Sequence, residues 1–198
     1  VGDLNRVRHI VALNKIPVTV EWVREFYENA DDKIVVFVHH IDVGQILYET
    51  LKKDFPDVPI LQITGSMSAE EKFNAQTKFN DTKKCFMVAS TLAAGEGLNL
   101  QTCCTAIMHE RQWNPANEDQ AAPGRFRRIG QTRNMNIVFI TAKNTTDDFM
   151  ATLVEEKRAN FHNLMNKGEA INWNQGSIMK ELINMIVQDH NRKHRKAS

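Results

Sequence analysis

The sequence predicts an α/β domain, a parallel sheet with helices packed on both of its faces. Two observations carry this. Short apolar runs recur at 34–38, 60–63, 85–89, 105–108 and 136–140, several of them rich in β-branched residues. Segments with apolar residues at helical spacing lie between them, and strands alternating with helices argue for a parallel sheet. The runs are continuous rather than alternating, as expected of strands buried on both faces.

Taken in order, a helix over about 18–28 precedes the first strand, Ile34 to Val38. Val43, Ile46, Leu47 and Leu51 give 42–54 the spacing of a helix. Ile60 to Ile63 is the next strand. Ser68 and Glu71 then read as a capping box, hydroxyl and carboxylate each satisfying an orphan N–H. The helix they open runs to about Phe79, with Phe73 and Phe79 turned inward. Strands follow at Cys85 to Ala89, Thr105 to Met108 and Asn136 to Ile140. Asn114 and Pro115 suit the N-cap and first position of a helix. From Thr146 to about Met165, Phe149, Met150, Leu153, Val154, Phe161, Leu164 and Met165 form one stripe. A last helix, Ser177 to about Gln188, follows a join bracketed by Gly168 and Gly176. The resulting organisation is a helical lead-in over 1–32, a main domain over 33–168, and a helix with a basic tail over 169–198.

Composition bounds the function. The 198 residues are 42% hydrophobic, enough for a real core. Twenty-five Lys and Arg against 24 Asp and Glu leave a net charge of +1, which excludes nucleic-acid binding by bulk charge and leaves room for a local basic site. No apolar run approaches the length of a membrane span, so no membrane partner is expected. The charged first residues lack a signal-peptide core, and a start at Val1 reads as a piece of something longer. Three cysteines without a C-x-x-C pair give no zinc or disulfide framework and fit a reducing, intracellular compartment. His39-His40 reads as a strand end plus a helix cap rather than a metal site.

Ligands of open parallel sheets bind at the carboxyl ends of the strands, which singles out three segments. Thr64, Gly65 and Ser66 form a polar turn before a helix, either an ordinary connection or a receiver of phosphate oxygens. Ser90 and Thr91 supply hydroxyls, and Gly95 and Gly97 on either side of Glu96 allow close backbone approach, without the third glycine of a dinucleotide fingerprint. Residues 125–133 hold four arginines and no acid, and Arg125 and Arg128 share a face if the segment is helical. Two guanidinium forks suit a polyphosphate or a nucleic-acid backbone; a solvated basic surface is the plainer alternative. No G-x-x-x-x-G-K-[ST] loop is present, and no strand-end acid pair is placed to hold Mg²⁺.

The ordered set Ser90, Thr91, Gly95, Gly97, Leu98-Asn99-Leu100, then Trp113-Asn114-Pro115, then Gln120, Arg125, Arg128 and Gln131 resembles the second RecA-like lobe of Swi/Snf-family ATPases, within helicase superfamily two. Val36 to His40, Thr64 to Ser66 with Glu70 and Glu71, and Ala142 to Asp148 match further segments, so the resemblance covers about 33–165. Phe37 with the His39-His40 pair, Glu110 ahead of Trp113-Asn114-Pro115, and Ala142-Lys143 with Thr145, Asp147 and Asp148 lean toward the HARP-like annealing-helicase branch.

The resemblance implies a DNA-translocating ATPase, of which this chain is the C-terminal lobe. Arg125 and Arg128 would reach across to ATP on a first lobe that also holds Mg²⁺, with no metal site in this lobe. Such an arginine is worth roughly 10³–10⁵ in turnover. Gly95, Glu96, Gly97 and Gln120 would line the ATP cleft. His39, His40, Thr64, Gly65, Ser66, Ser90, Thr91 and Asn99 would contact the nucleic-acid backbone. Partners would be duplex or forked DNA and the first lobe, and the setting nuclear in a eukaryote or cytoplasmic in a bacterium or virus. Four residues separate Gln120 from Arg125 where the family pattern has three, an insertion containing Pro123 and Gly124. Two other functions remain: the lobe of a conventional unwinding helicase, and a non-catalytic nucleic-acid-binding module.

Overall fold

A computed structural model of the chain describes residues 2–94, 98–121, 132–165 and 183–188, with backbone alone for residue 2 and for 160–165. Eleven elements are laid out in order. They are α1 (Gly2–Asn29), β1 (Ile34–Val38), α2 (Ile41–Asp54), β2 (Ile60–Ile63), α3 (Ala69–Asp81), β3 (Phe86–Ser90), α4 (Thr91–Ala94), β4 (Thr105–Met108), α5 (Pro115–Ala121), β5 (Asn136–Phe139) and α6 (Thr146–Met165). Residues 183–188 are also helical; the rest of the expected last helix, and its bracketing glycines, lie outside the described residues.

All strand pairs are parallel, in the order β2-β3-β1-β4-β5. In register, Ile34 stands between Phe86 and Thr105, and Phe37 between Ala89 and Met108. Strand side chains alternate between faces, and the core divides accordingly. Ile34, Val36 and Val38 pack with α1 and α2, through Val20, Val23, Leu47 and Leu51. Val35 and Phe37 pack on the other face with Phe79 of α3, Leu100 and Ala121 of α5. Two buried faces are the physical reason that the strand runs read as continuous apolar sequence. A third cluster joins Trp113 to Met150, Leu153 and Val154 of α6.

Several elements depart from expectation. Helix α1 begins at Gly2 and continues through Pro17, far ahead of Val18. Its buried side is Arg8, Ala12, Lys15, Ile16, Thr19, Val20 and Val23, a helical stripe that mixes polar with apolar residues and so escapes a reading based on hydrophobicity. Phe73 is 62% exposed whereas Phe79 is fully buried. Six residues apart on a helix, they lie about 120° from one another and cannot share one narrow face. Ile46 is likewise exposed on α2 while Val43, Leu47 and Leu51 are buried. Strand β5 is half-exposed, because it is the sheet's edge and has a neighbour on one side alone.

Candidate functional site

The strand order places a crevice where β1 meets β3. The chain leaves β1 into α2 on one face of the sheet, and leaves β3 into α4 toward the other, which is the arrangement that opens ligand sites in such folds. A cleft of about 250 Å³ lies there, lined by His39, His40 and Gly44 after β1, Thr64 and Gly65 after β2, and Ser90 ending β3. The structure thus brings together five of the residues expected at a nucleic-acid backbone, from three different strand ends.

Glycine is required at Gly44. A Cβ there would sit 2.9 Å from Cγ2 of Val38, so the bare backbone lets α2 start tight against the end of β1. His40 is the N-cap of α2 but gives it no side-chain cap. The turn ahead of the helix is held by Glu110, just beyond β4. One carboxylate oxygen accepts the amide N–H groups of His39 and His40, at 2.8 and 2.9 Å, and the other accepts His40 Nδ1–H at 2.5 Å. Burial pushes the Glu110 carboxyl up, but these hydrogen bonds and the His40 ring outweigh it and hold it down at about 2. The His40 ring also packs on His9 of α1, with centroids 4.8 Å apart, and His9 Nε2 meets Asp42 Oδ2 at 2.5 Å.

On the second wall, α3 closes its own N-terminus. Ser68 Oγ accepts the Glu71 N–H at 3.2 Å and Glu71 Oε2 accepts the Ser68 N–H at 2.7 Å, as the capping box predicts. Thr64 and Ser66 hydroxyls, 3.0 Å apart, are left at the turn before it, and Gly65 and Ser66 are exposed. Ser90 is half-buried at the floor. Thr91 is buried, and its hydroxyl donates to the Val38 carbonyl at 3.0 Å, bracing the end of β3 against that of β1.

Asn99 does not join the cleft. Its N–H donates to Gln76 at 2.6 Å and its carbonyl accepts from Asn80 at 2.9 Å, which ties it to the second half of α3. Asn80 in turn takes the Lys33 ammonium at the opposite end of β1. Gln120 is exposed near the end of α5. Gly95, Glu96, Gly97, Arg125 and Arg128 lie outside the described residues.

Sequence reasoning missed the cluster beyond β4. His109, Glu110, Arg111, Gln112 and Trp113 are all buried. His109 Nε2–H donates to the Ala12 carbonyl at 3.0 Å and Nδ1 accepts from Thr19 at 2.7 Å. Burial, with Lys15 adding to it, pushes His109 down to about 4. Arg8 stacks 4.4 Å over Trp113 and donates to the Arg111 carbonyl. Arg111 pairs with Glu118 of α5, and Glu118 and Glu155 both engage Arg158 of α6. A strand followed by four consecutive polar residues was the available signal, since such a run has to find buried partners. The thiols are of another kind: all three are buried and none forms a disulfide, and burial raises Cys85 to about 11 and pushes Cys103 higher. Among the described residues no helix is long and apolar enough to cross a membrane, and no group of three His, Cys, Asp or Glu is placed to hold a metal ion.

Comparison with known proteins agrees with this architecture. Residues 17–130 match the family model described as "Helicase conserved C-terminal domain". Over 144 residues the chain is 35% identical to the SWI/SNF-related matrix-associated actin-dependent regulator of chromatin subfamily A-like protein 1 of Xenopus tropicalis, covering 72% of this chain and 15% of that protein. The SWI2/SNF2 ATPase core domain of Sulfolobus solfataricus superposes with a TM-score of 0.63 at 27% identity, covering 85% of this chain and 33% of the other. The same core solved in complex with dsDNA gives 0.57 at 27% identity, covering 76% and 31%. The chain therefore spans about 15% of the length of such a curated relative. With its RecA-like parallel sheet and matched motifs, this chain belongs to the helicase conserved C-terminal domain family, as the C-terminal lobe of a SWI/SNF-related helicase.

Proposed function

We propose that the chain is the second motor lobe of an ATP-dependent DNA translocase and that its cleft grips the DNA backbone. The observation that carries this is the cleft's composition. Three strand ends contribute two imidazoles and the Thr64 and Ser90 hydroxyls, and among the described residues no lysine or arginine lines it. Neutral hydroxyl donors on an open face suit successive phosphodiester oxygens, which position a duplex without reading its sequence. The Sulfolobus core, alike in fold, was solved with dsDNA, which supports the same ligand here.

That donor set does not fit a nucleoside triphosphate with Mg²⁺, which needs concentrated positive charge and carboxylates. In this reading ATP and Mg²⁺ are held mainly by a first lobe of the parent protein, and Arg125 and Arg128 complete that site from this side. The setting is intracellular, wherever the parent meets DNA.

Translocation or rewinding, rather than strand separation, is the favoured motor output, because the Swi/Snf-like features favour it; among those that lean toward the annealing branch, His39 and His40 line the cleft and Glu110 holds their turn. The test sets triplex displacement against fork unwinding, using the parent protein. Displacement without unwinding is the expected result. Unwinding of a plain fork at equal efficiency assigns a conventional helicase instead.

A further inference from the structure

We propose that Glu110 is a positioning residue for the cleft: its buried carboxylate holds the His39-His40 turn ahead of α2 and fixes the His40 ring with its proton on Nδ1. Nε2 is then the nitrogen left for a phosphodiester oxygen. This rests on the reading that the cleft holds a nucleic-acid backbone.

Helix N-termini leave orphan N–H groups that attract anions. At α2 two nearby donors, the amides of His39 and His40, are already spent on one Glu110 oxygen. A phosphate at this wall cannot use those two, which leaves it the first N–H of the helix itself and the side chains of the turn. The second Glu110 oxygen takes His40 Nδ1. A carboxylate ionised at every working pH is an acceptor alone, so Nδ1 has to be the donor. His40 Nε2 makes no hydrogen bond within the described residues.

The chemical consequence is a proton-linked contact. Neutral His40, with its proton on Nδ1, presents a lone pair at Nε2, which repels a phosphate oxygen. Charged His40 presents Nε2–H and attracts it. The groups facing the ring are Glu110 from beyond β4, His9 from α1 with Asp42 behind it, and His39 beside it in the same turn. Arg8 acts on His39 and Glu110 from α1.

The experiment has two readouts on the 198-residue chain. The first is the ¹⁵N signature of the His40 ring in the wild type and in Glu110→Gln, whose amide can donate to Nδ1 and so moves the ring proton to Nε2. The second is affinity for a short DNA duplex between about pH 5 and pH 8. The expected result is an Nδ1–H tautomer in the neutral wild type and an Nε2–H tautomer in the variant. Wild-type affinity falls about tenfold across that range, as for the loss of one charge-assisted contact. In Glu110→Gln the fall is reduced to about twofold or less. His40→Gln keeps both amide bonds to Glu110 and guards against a folding failure of the first variant; it also flattens the profile. An Nε2–H tautomer in the wild type, or a signature that Glu110→Gln leaves unchanged, overturns the positioning role whatever the DNA does. The expected tautomers together with no duplex binding support the positioning role and overturn the cleft reading instead.

Discussion

Arg111 and Glu118 face one another in a two-pronged ion pair, Nε on Oε1 and Nη2 on Oε2, each at 2.8 Å, with both side chains buried. The pair joins the end of β4 to α5, and Arg158 and Glu155 extend it to α6. One Glu118 oxygen also accepts the Gln112 N–H. Three segments, the end of β4, α5 and α6, thus share one ionic knot. Removing one partner leaves uncompensated charge out of water, which costs far more than the pair itself contributes. Glu118→Ala is expected to lower stability by about 3–5 kcal/mol, read from urea unfolding midpoints. The paired change Arg111→Met with Glu118→Leu should recover much of that loss.

Acid should weaken the fold in a defined window. His109 is held neutral in the folded chain, down at about 4, against an ordinary value near 6.5. Below 6.5 the unfolded chain takes up a proton that the folded chain refuses. The stability is therefore intact above pH 6.5 and lost as pH falls to about 4, by roughly 3 kcal/mol for this residue. His39, also held low by burial, adds to the same slope. In His109→Asn the slope of unfolding free energy against pH should be shallower in that window. An unchanged slope removes His109 from the account.

A second, lower window belongs to Glu110. Its carboxyl is held at about 2, below the ordinary 4.5, so its contribution is present above 4.5 and disappears as pH falls toward 2. Glu110→Gln should flatten stability in that lower range while leaving the His109 window in place.

Gly44 fixes the distance between α2 and β1. In Gly44→Ala the new methyl meets a β-branched Val38 that has little room to turn. Overpacking of this kind costs about 1–3 kcal/mol, and the cleft mouth should widen with it. A calorimetric Tm and duplex affinity of the variant check both effects.

The two phenylalanines of α3 should behave oppositely. Phe79→Ala empties a fully buried site and should cost about 3–5 kcal/mol. Phe73→Ala changes an exposed ring and should stay within about 0.5 kcal/mol.

How far the sequence foretold these features depends on what each one rests on. β1, β2 and β4 were legible to the residue, because a strand buried on both faces has no choice but continuous apolar sequence. The Ser68–Glu71 cap was legible because its chemistry is local. Helix α1 was half-missed, since Arg8, Lys15 and Thr19 are buried through partners more than 80 residues away, and nothing local announces Asp147 or His109. His39, His40, Thr64, Gly65 and Ser90, singled out by the family resemblance, come to line one cleft because they stand at the ends of strands that the topology places side by side. Glu110 stood in the sequence as a motif neighbour; its hold on the His39-His40 turn needed β4 to lie beside β1. Asn99 is named with Ser90 through the family resemblance, and its hydrogen bonds to Gln76 and Asn80 tie it to α3, away from the residues that line the cleft.

The central claim is that this lobe completes a DNA-driven motor. The most direct measurement is ATP hydrolysis by the parent protein carrying both lobes, with and without duplex DNA, in wild type and Arg128→Ala. The account predicts hydrolysis stimulated by duplex DNA and a loss of roughly 10³-fold or more in the variant, with ATP binding retained. A folded parent that hydrolyses no ATP with any nucleic acid would contradict the motor and leave a binding module in its place.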